Sequence, residues 1–310
     1  MSRNAATSTT SAPCPVPLWR LLLVFLLLIT TVFLIGALLA YPLFLCLAPF
    51  SGIGFHKVLH YAIVLTGLAL CLYYLHATRK LSVMFGAGLG HRANLKTLGL
   101  GFATGAAVLL LVELCVAVLG MRQPDPDLAN GTPALLLAVL RALLAGITVA
   151  VSEEVIYRGA IYTGLARYRT PFAALFISAL FYSAVHFIDI QPLPAGTAVT
   201  WLTGPTQLAG AFYQFTDPFI LDALFSLILL GIFFGLLRRY TGNLIMCIGA
   251  HAGIVAINKI ISYITDYQAG TPYAYLVNAY DHQTGLLASC WLALACLICW
   301  LGSGRNKGTQ

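Results

Sequence analysis

The chain has 310 residues, of which only 9% are Asp, Glu, Lys or Arg, while 60% belong to hydrophobic types. A soluble globular domain carries roughly 25% charged residues, so these charges cannot cover a soluble surface of this size. Disorder of the whole chain is excluded, because disordered chains are polar and charged. The net charge of +7 is not gathered into one patch, which argues against a nucleic-acid partner. We therefore predict a polytopic membrane protein, with the lipid bilayer as its solvent.

Eight stretches are apolar and close to the length of about 20 residues that a bilayer span needs. They are 18–39, 58–75, 97–119, 142–165, 172–188, 222–237, 241–264 and 285–301. The predicted fold class is all-α, a membrane helical bundle with about eight transmembrane helices in a single domain over 18–301. Residues 1–17, rich in Ser, Thr and Pro, are predicted to be a disordered tail, and residues 302–310 form a second tail.

The charges outside the spans indicate an orientation. The tails and the connections after spans two, four and six hold 12 of the 17 basic residues. Acidic residues occupy the opposite loops, namely Asp125, Asp127, Asp189, Asp217, Asp266 and Asp281. The positive-inside rule then places both termini in the cytoplasm. Connection 189–221 would lie outside, where its aromatic residues suit either an interfacial lid or an ordinary interface belt.

The fourth span contains three charged residues, Glu153, Glu154 and Arg158. A charge inside a bilayer costs several kcal/mol, so each one needs a partner or a function. Glu154 and Arg158 are four residues apart, which favours a structural ion pair on one helical face. Glu153 points about 100° away from Glu154 and cannot easily share that arginine. It must face a polar cavity or another helix, and a carboxylate in such a setting suits a general base.

Two histidines lie in other spans, at depths comparable with that of Glu153. At about 1.5 Å per residue, Glu153, His186 and His251 lie about 21, 22 and 16 Å from the cytoplasmic helix ends. We therefore predict a buried polar cavity lined by three helices, past mid-membrane toward the outer face. Small residues around His251, at 249, 250, 252 and 253, would let neighbouring helices approach it closely.

Other polar residues are interpreted as structural. Glu113 and Asp222 are expected near the outer face, either interfacial or paired with Arg141. The remaining histidines, His60 among them, lie in loops or at span ends and are expected to be solvated.

The constellation resembles a known family. Residues 153–158 read Glu-Glu-Val-Ile-Tyr-Arg and match the EExxxR motif of the CPBP family, the CAAX proteases and bacteriocin-processing enzymes. The family's FxxxH motif corresponds to Tyr182 through His186, with Tyr in place of Phe. The segment from Arg238 to His251 is similar to the stretch that leads to the family's last histidine. The resemblance covers residues 148–258, which we take as the motif core.

The resemblance implies an intramembrane glutamic endopeptidase. In that reading Glu153 is the general base that activates water, His186 holds the water, and His251 supports the oxyanion. Glu154 and Arg158 form the supporting pair. The family often has an Asn one helical turn after the last His, where this chain has Val255. Asn258, Asn243 and Tyr182 are the alternative donors, although Asn258 lies about 10 Å rather than 6 Å along the helix.

Several alternatives stay open. No cofactor is expected, but one Glu and two His could instead form a His₂Glu zinc site, although the usual helical HExxH pattern is absent. The protein could also be a non-catalytic immunity factor or scaffold that retains the fold. The expected partners are the bilayer and a membrane-anchored or lipidated protein or peptide substrate, cleaved near its membrane-proximal C-terminus. An exported or tethered substrate fits a site toward the outer face. The expected location is a prokaryotic plasma membrane.

Overall fold

The computed structural model describes residues 16–88, 90–125, 132–279 and 281–305. Most of the two predicted tails, together with Asp127, therefore lies outside the described residues. Eleven α-helices make up the described fold. They are α1 Leu18–Ser51, α2 Phe55–Ala77, α3 Leu81–Met84, α4 His91–Val118, α5 Thr132–Glu154, α6 Tyr162–Leu165, α7 Pro171–Val185, α8 Thr203–Gly210, α9 Leu221–Thr241, α10 Ile245–Ile264 and α11 Leu286–Arg305.

The predicted all-α membrane bundle is confirmed. Six of the described helical segments are long and apolar enough to cross a bilayer, namely Trp19–Ser51, Phe55–Ala77, His91–Val118, Pro133–Leu165, Pro218–Thr241 and Ile245–Ile264. The two other predicted spans are the shorter apolar helices Pro171–Val185 and Leu286–Gly302. The chain is therefore an integral membrane protein by the length and composition of its helices.

Local sequence explains where several of these helices begin and end. The Thr170 hydroxyl accepts a hydrogen bond from the Ala173 amide at 3.3 Å, and Pro171 occupies the first turn of α7. Helix α9 ends at Gly242, whose φ of +73° favours glycine. Helix α5 continues without a break through a π-helical turn, Val155–Ile161, into α6.

Helix α10 occupies the centre of the fold and packs mainly against α4 and α5. The contact with α4 is close because glycines of each helix lie against the backbone of the other helix. A Cβ atom on Gly105 would overlap the Ala250 carbonyl oxygen, and one on Gly253 would overlap that of Phe102. The small residues of α10 thus bring His251 close to its neighbours, as the sequence suggested. Helices α7 and α11 pack on α9, and α1 packs on α2 and α8.

The connections sort to two ends of the bundle. Lys80 and Arg167 lie in two connections, Arg238 lies in the last turn of α9, and all three share one end, which we call the basic end. Burial, followed by the charges of Arg167 and Arg238, lowers the pKa of Lys80. At the opposite end, strands β1 Arg122–Pro124 and β2 Thr265–Tyr267 pair antiparallel. This sorting agrees with the charge pattern of the sequence, and the assignment of the basic end to the cytoplasm stays a prediction.

Connection 189–221 is folded rather than extended. It contains α8 and two 3₁₀ turns, Tyr213–Thr216 and Pro218–Ile220. Trp201 packs on Tyr41 of α1, with ring centroids 4.9 Å apart. The other aromatic residues of the predicted lid, Phe212, Tyr213 and Phe215, are exposed.

Candidate active site

The two glutamates of the EExxxR motif end helix α5, and Arg158 lies within the π-helical turn that follows. Their environments differ as the helical geometry predicted. Glu154 and Arg158 are buried, with 0% and 1% of their surface exposed. The Glu153 side chain keeps 26% of its surface exposed. A π-helical turn within a long helix often marks a functional site.

Glu154 is the centre of a buried polar network. Its Oε1 accepts a hydrogen bond from Arg158 Nη1 at 3.1 Å and lies 2.9 Å from His251 Nδ1. Because a carboxylate oxygen accepts and does not donate, His251 Nδ1 carries the proton of this bond. Arg158 Nη2 also donates to the Gly231 carbonyl oxygen at 3.0 Å. The network therefore joins α5, the π-helical turn, α9 and α10.

Aromatic rings enclose these charges. The Arg158 guanidinium lies 4.4 Å from the centroid of the Tyr182 ring and 5.1 Å from that of Phe234. His251 stacks on Phe234 at a centroid distance of 4.8 Å. Such cation–π and stacking contacts stabilise a cation that has left water. They also restrict the His251 ring to one orientation.

Glu153 and His186 reach the site from two helices. Glu153 Oε2 is 3.7 Å from His251 Nε2, which is longer than a direct hydrogen bond. This oxygen is buried and accepts no hydrogen bond from the described part of the chain. His186 follows the last residue of α7, and its Nδ1 lies 2.7 Å from the Tyr182 carbonyl oxygen. Since a carbonyl only accepts, His186 Nδ1 is protonated, and Nε2 is the acceptor of a neutral ring.

Two cavities meet at this site. The larger, about 1090 Å³, lies between α1, α2, α5 and α7 and has mostly aliphatic and aromatic walls. The smaller, about 270 Å³, lies between α4, α7, α9, α10 and α11. Glu153 and His186 line both cavities, whereas His251 and Tyr182 line only the smaller one.

The alternative donors fall in different places. Asn258 lines the smaller cavity, and so does Val255. The suggestion of Asn243 is corrected, because its Oδ1 accepts from the Ile245 amide at 3.0 Å and so caps α10 at the basic end. Asn243 lines neither cavity.

Three other expectations change. Glu113 pairs with Arg122 at 2.7 Å rather than with Arg141. His60 faces the larger cavity with Glu153 and His186, although the sequence suggested only a solvated span end. The continuous helical segment that contains Glu153 begins at Thr132, ten residues earlier than expected, and ends at Leu165. Glu153 is 21 residues from its first residue and 12 from its last, so it lies nearer the basic end. These helix bounds do not support a site toward the outer face.

Sequence reasoning missed Gln283. This side chain lies in the loop before α11 and lines the smaller cavity with Asn258. The loop reads Asp-His-Gln-Thr, which is an ordinary polar turn sequence. No sequence motif links Gln283 with Glu153, which precedes it in the chain by more than a hundred positions but lines the same cavity.

Among the described residues, no group of three His, Cys, Asp or Glu side chains is arranged to hold a metal ion. Glu154, the nearest carboxylate to His251, is already engaged by Arg158 and His251. The zinc alternative is therefore left to experiment.

Comparison with known proteins adds a family to this geometry. Residues 135–257 match the model of the family described as type II CAAX prenyl endopeptidase Rce1-like. The predicted membership of the CPBP family is confirmed for this segment. The matched residues include both motif glutamates, His186, His251 and Val255, and the match indicates a CAAX protease, a peptide hydrolase. No curated protein and no solved structure shows a significant match to the chain.

Proposed function

We propose that the chain is an intramembrane glutamic endopeptidase that cleaves a membrane-associated substrate near a lipidated or membrane-proximal C-terminus. One observation carries the proposal. Glu153 Oε2 faces His251 Nε2 at 3.7 Å, at a point where Glu153 and His186 also border a cavity of about 1090 Å³. Glu153, His186 and His251 also border the smaller cavity together, so a base, a water-holding acceptor and an oxyanion donor surround one space.

Peptide hydrolysis at this site needs only the chain's own groups and water. Glu153 accepts a proton from a water molecule while His186 Nε2 accepts the water's second hydrogen in a hydrogen bond. The oxygen then attacks the substrate carbonyl carbon and gives a tetrahedral intermediate. When the C–N bond breaks, the proton held by Glu153 passes to the departing nitrogen. The products are a new carboxylic acid and a new amine, which become a carboxylate and an ammonium group when the acid's proton passes to the amine.

His251 would stabilise the negative oxygen of that intermediate. Nδ1 is bonded to Glu154, so Nε2 can donate to the oxyanion when the ring is an imidazolium. The Glu154 carboxylate holds Nδ1 and the Phe234 ring stacks on the imidazole, so both fix the orientation of His251. Arg158 fixes Glu154 in turn, so Glu154 and Arg158 are positioning residues.

The larger cavity supports a lipidated or strongly apolar substrate. Its walls combine side chains of α1 and α2 with those of the matched segment, among them Phe25, Phe33 and Ile156. Its volume, about 1090 Å³, slightly exceeds the usual range for ligand pockets, about 300–1,000 Å³, and so has room for a long apolar chain. The matched family, described as a CAAX prenyl endopeptidase, supports the same class of substrate.

Glu153→Gln provides the direct test. The purified protein in lipid nanodiscs is incubated with a farnesylated CAAX peptide that carries a fluorophore and a quencher on either side of the bond after the cysteine. We expect the wild type to cleave it, and Glu153→Gln to lower kcat by about 10²–10⁴-fold, the usual contribution of a general base. The new C-terminus is identified by mass spectrometry.

Asp266→Asn is the matched control, since it makes the same carboxylate-to-amide change at an exposed residue of β2. It should cleave like the wild type. Full activity of a folded Glu153→Gln protein would refute the general-base role. Loss of activity on treatment with a zinc chelator, restored by zinc, would favour the zinc alternative.

One observation favours a second candidate function, a non-catalytic immunity factor or scaffold. Val255 places an apolar side chain in the smaller cavity, one turn from His251, where the family often has an amide donor. Under this alternative neither the wild type nor Glu153→Gln cleaves the peptide, and both are equally able to protect cells.

A further inference from the structure

The smaller cavity differs from the larger one in both size and lining. Both cavities touch α5 and α7, but the residues that they share are only Val149, Glu153 and His186. The larger one reaches from the Glu153 region to Arg167 and Tyr168 along an apolar wall. The smaller one is lined by His251, Asn258, Asp281, Gln283 and Thr284 in addition to the shared glutamate and histidine.

Polar groups at membrane depth occur where they are paired or face water. The polar groups of the smaller cavity come from α10 and from the loop before α11, at the end opposite the basic end. Asp281, Gln283 and Thr284 are each partly exposed. This cavity therefore extends from the loop region to Glu153, with polar groups at both of these ends and apolar side chains of α4, α9 and α11 along its walls.

The loop that borders the cavity is held firmly. Asp281 Oδ1 accepts hydrogen bonds from the amides of Gln283 and Thr284 at 3.0 and 2.9 Å, and from Thr284 Oγ1 at 2.9 Å. The Gly285 amide donates to Ser226 Oγ of α9 at 2.9 Å. Gln283 is thus presented to α10 from a fixed turn.

Gln283 in turn orients Asn258. Gln283 Nε2 donates to Asn258 Oδ1, which also accepts from Ser262 Oγ at 3.2 Å. Because two donors bind the Asn258 oxygen, the orientation of the side-chain amide is determined. The NH₂ group of Asn258 is then available to donate a hydrogen bond in the cavity. That group is a donor suited to a water molecule rather than to an apolar chain.

The size of the cavity fits water. A water molecule takes about 30 Å³ in the liquid, so about 270 Å³ holds several molecules. The same volume lies below the usual range for organic ligands, about 300–1,000 Å³. A lipidated peptide needs the larger space on the other side of Glu153.

We propose that the smaller cavity supplies the attacking water to Glu153 from the side opposite the substrate, and that the Gln283–Asn258 pair offers polar groups to water along that route. The inference rests on the proposed function. Substrate and water would reach Glu153 by separate routes, so an apolar chain in the larger cavity would not block hydrolysis.

A removable plug tests the proposal in the folded protein. Val255 is partly exposed in the smaller cavity and absent from the lining of the larger one. The Val255→Cys protein, purified in nanodiscs, is treated with a positively charged methanethiosulfonate reagent and assayed with the farnesylated CAAX peptide. We expect kcat to fall by about tenfold with KM changed by less than about twofold, because only the water route is filled. Removal of the label with a reductant should restore kcat.

Ile257→Cys is the matched control, since Ile257 lies on the same helix and lines neither cavity. The wild type, treated in the same way, accounts for the native cysteines. If the charged reagent does not reach Val255→Cys, Val255→Phe supplies the plug and Ile257→Phe its control.

Two results would overturn the inference. A rise in KM at constant kcat would make the smaller cavity part of the substrate site. Unchanged kinetics after complete labelling would show that water reaches Glu153 by another route. Failure of the proposed function is distinguishable, because the unlabelled Val255→Cys protein would then show no cleavage that depends on Glu153.

Discussion

At the scale of single residues, the decisive feature is that one carboxylate oxygen, Glu154 Oε1, serves both Arg158 and His251. The sequence predicted the first contact, because an i,i+4 spacing brings the side chains together. It could not predict the second, which joins residues 97 positions apart. Glu154 therefore neutralises Arg158 and also connects the EExxxR motif to His251 of α10.

Arg158→Met should leave Glu154 buried without its cation, which costs about 3–5 kcal/mol for a pair of this kind. We expect a clearly lower unfolding temperature in detergent, measured by the loss of monodisperse protein on heating. The double variant Glu154→Gln/Arg158→Met removes both charges and should recover most of that stability.

The double variant should nevertheless be inactive in peptide cleavage, because it lacks the Glu154 carboxylate that orients the His251 ring through Nδ1. A stable double variant with wild-type kcat would contradict the positioning role of Glu154. Asp266→Asn again serves as a control that changes charge away from the network.

At the scale of elements, the EExxxR helix changes its winding at the motif. Val155–Ile161 form a π-helical turn, and the Thr163 hydroxyl donates to the Arg158 carbonyl oxygen at 3.2 Å, five residues back. No local pattern in the sequence marks such a turn. Packing against α2, α7 and α9 surrounds it on several sides.

The contact between α4 and α10 determines the position of His251, and Gly105 tests it. Gly105→Ala would put a methyl group on the Ala250 carbonyl oxygen, so the helices must separate. We expect a loss of stability of about 1–3 kcal/mol, the usual cost of overpacking, together with lower activity. Both are measured by thermal unfolding and peptide cleavage in nanodiscs.

Gly99→Ala is the matched control on the same helix, since nothing lies within 4 Å of a Cβ atom there. It should be neutral or slightly stabilising, because Ala favours helix over Gly by up to about 1 kcal/mol. Equal behaviour of the two variants would mean that α4 and α10 do not need their close contact.

At the scale of the whole molecule, the charges sort to two ends, and the orientation can be tested. An epitope inserted after Gly196, where no atom lies within 4 Å of a Cβ position, should bind antibody on intact cells. An epitope inserted beside Arg167 should bind only after permeabilisation, because the positive-inside rule keeps that connection in the cytoplasm. The reverse pattern would overturn the predicted orientation.

The sequence predicted the helical bundle because eight apolar stretches are long enough to be recognised by length alone. It placed several ends wrongly, since α1 runs on to Ser51 and α5 begins at Thr132, where composition changes gradually. Within the site, the residues of the motifs could be named, but their partners could not. Glu113 pairs with Arg122, and Asn258 pairs with Gln283, through contacts that only the packed chain creates.

The short strands β1 and β2 close a long loop of the polypeptide. They pair Arg122 with Tyr267 and so enclose the matched segment, residues 135–257, within one loop of the polypeptide. The stretches that flank the segment on either side are thereby held together, which lowers the entropy lost when the loop between them closes.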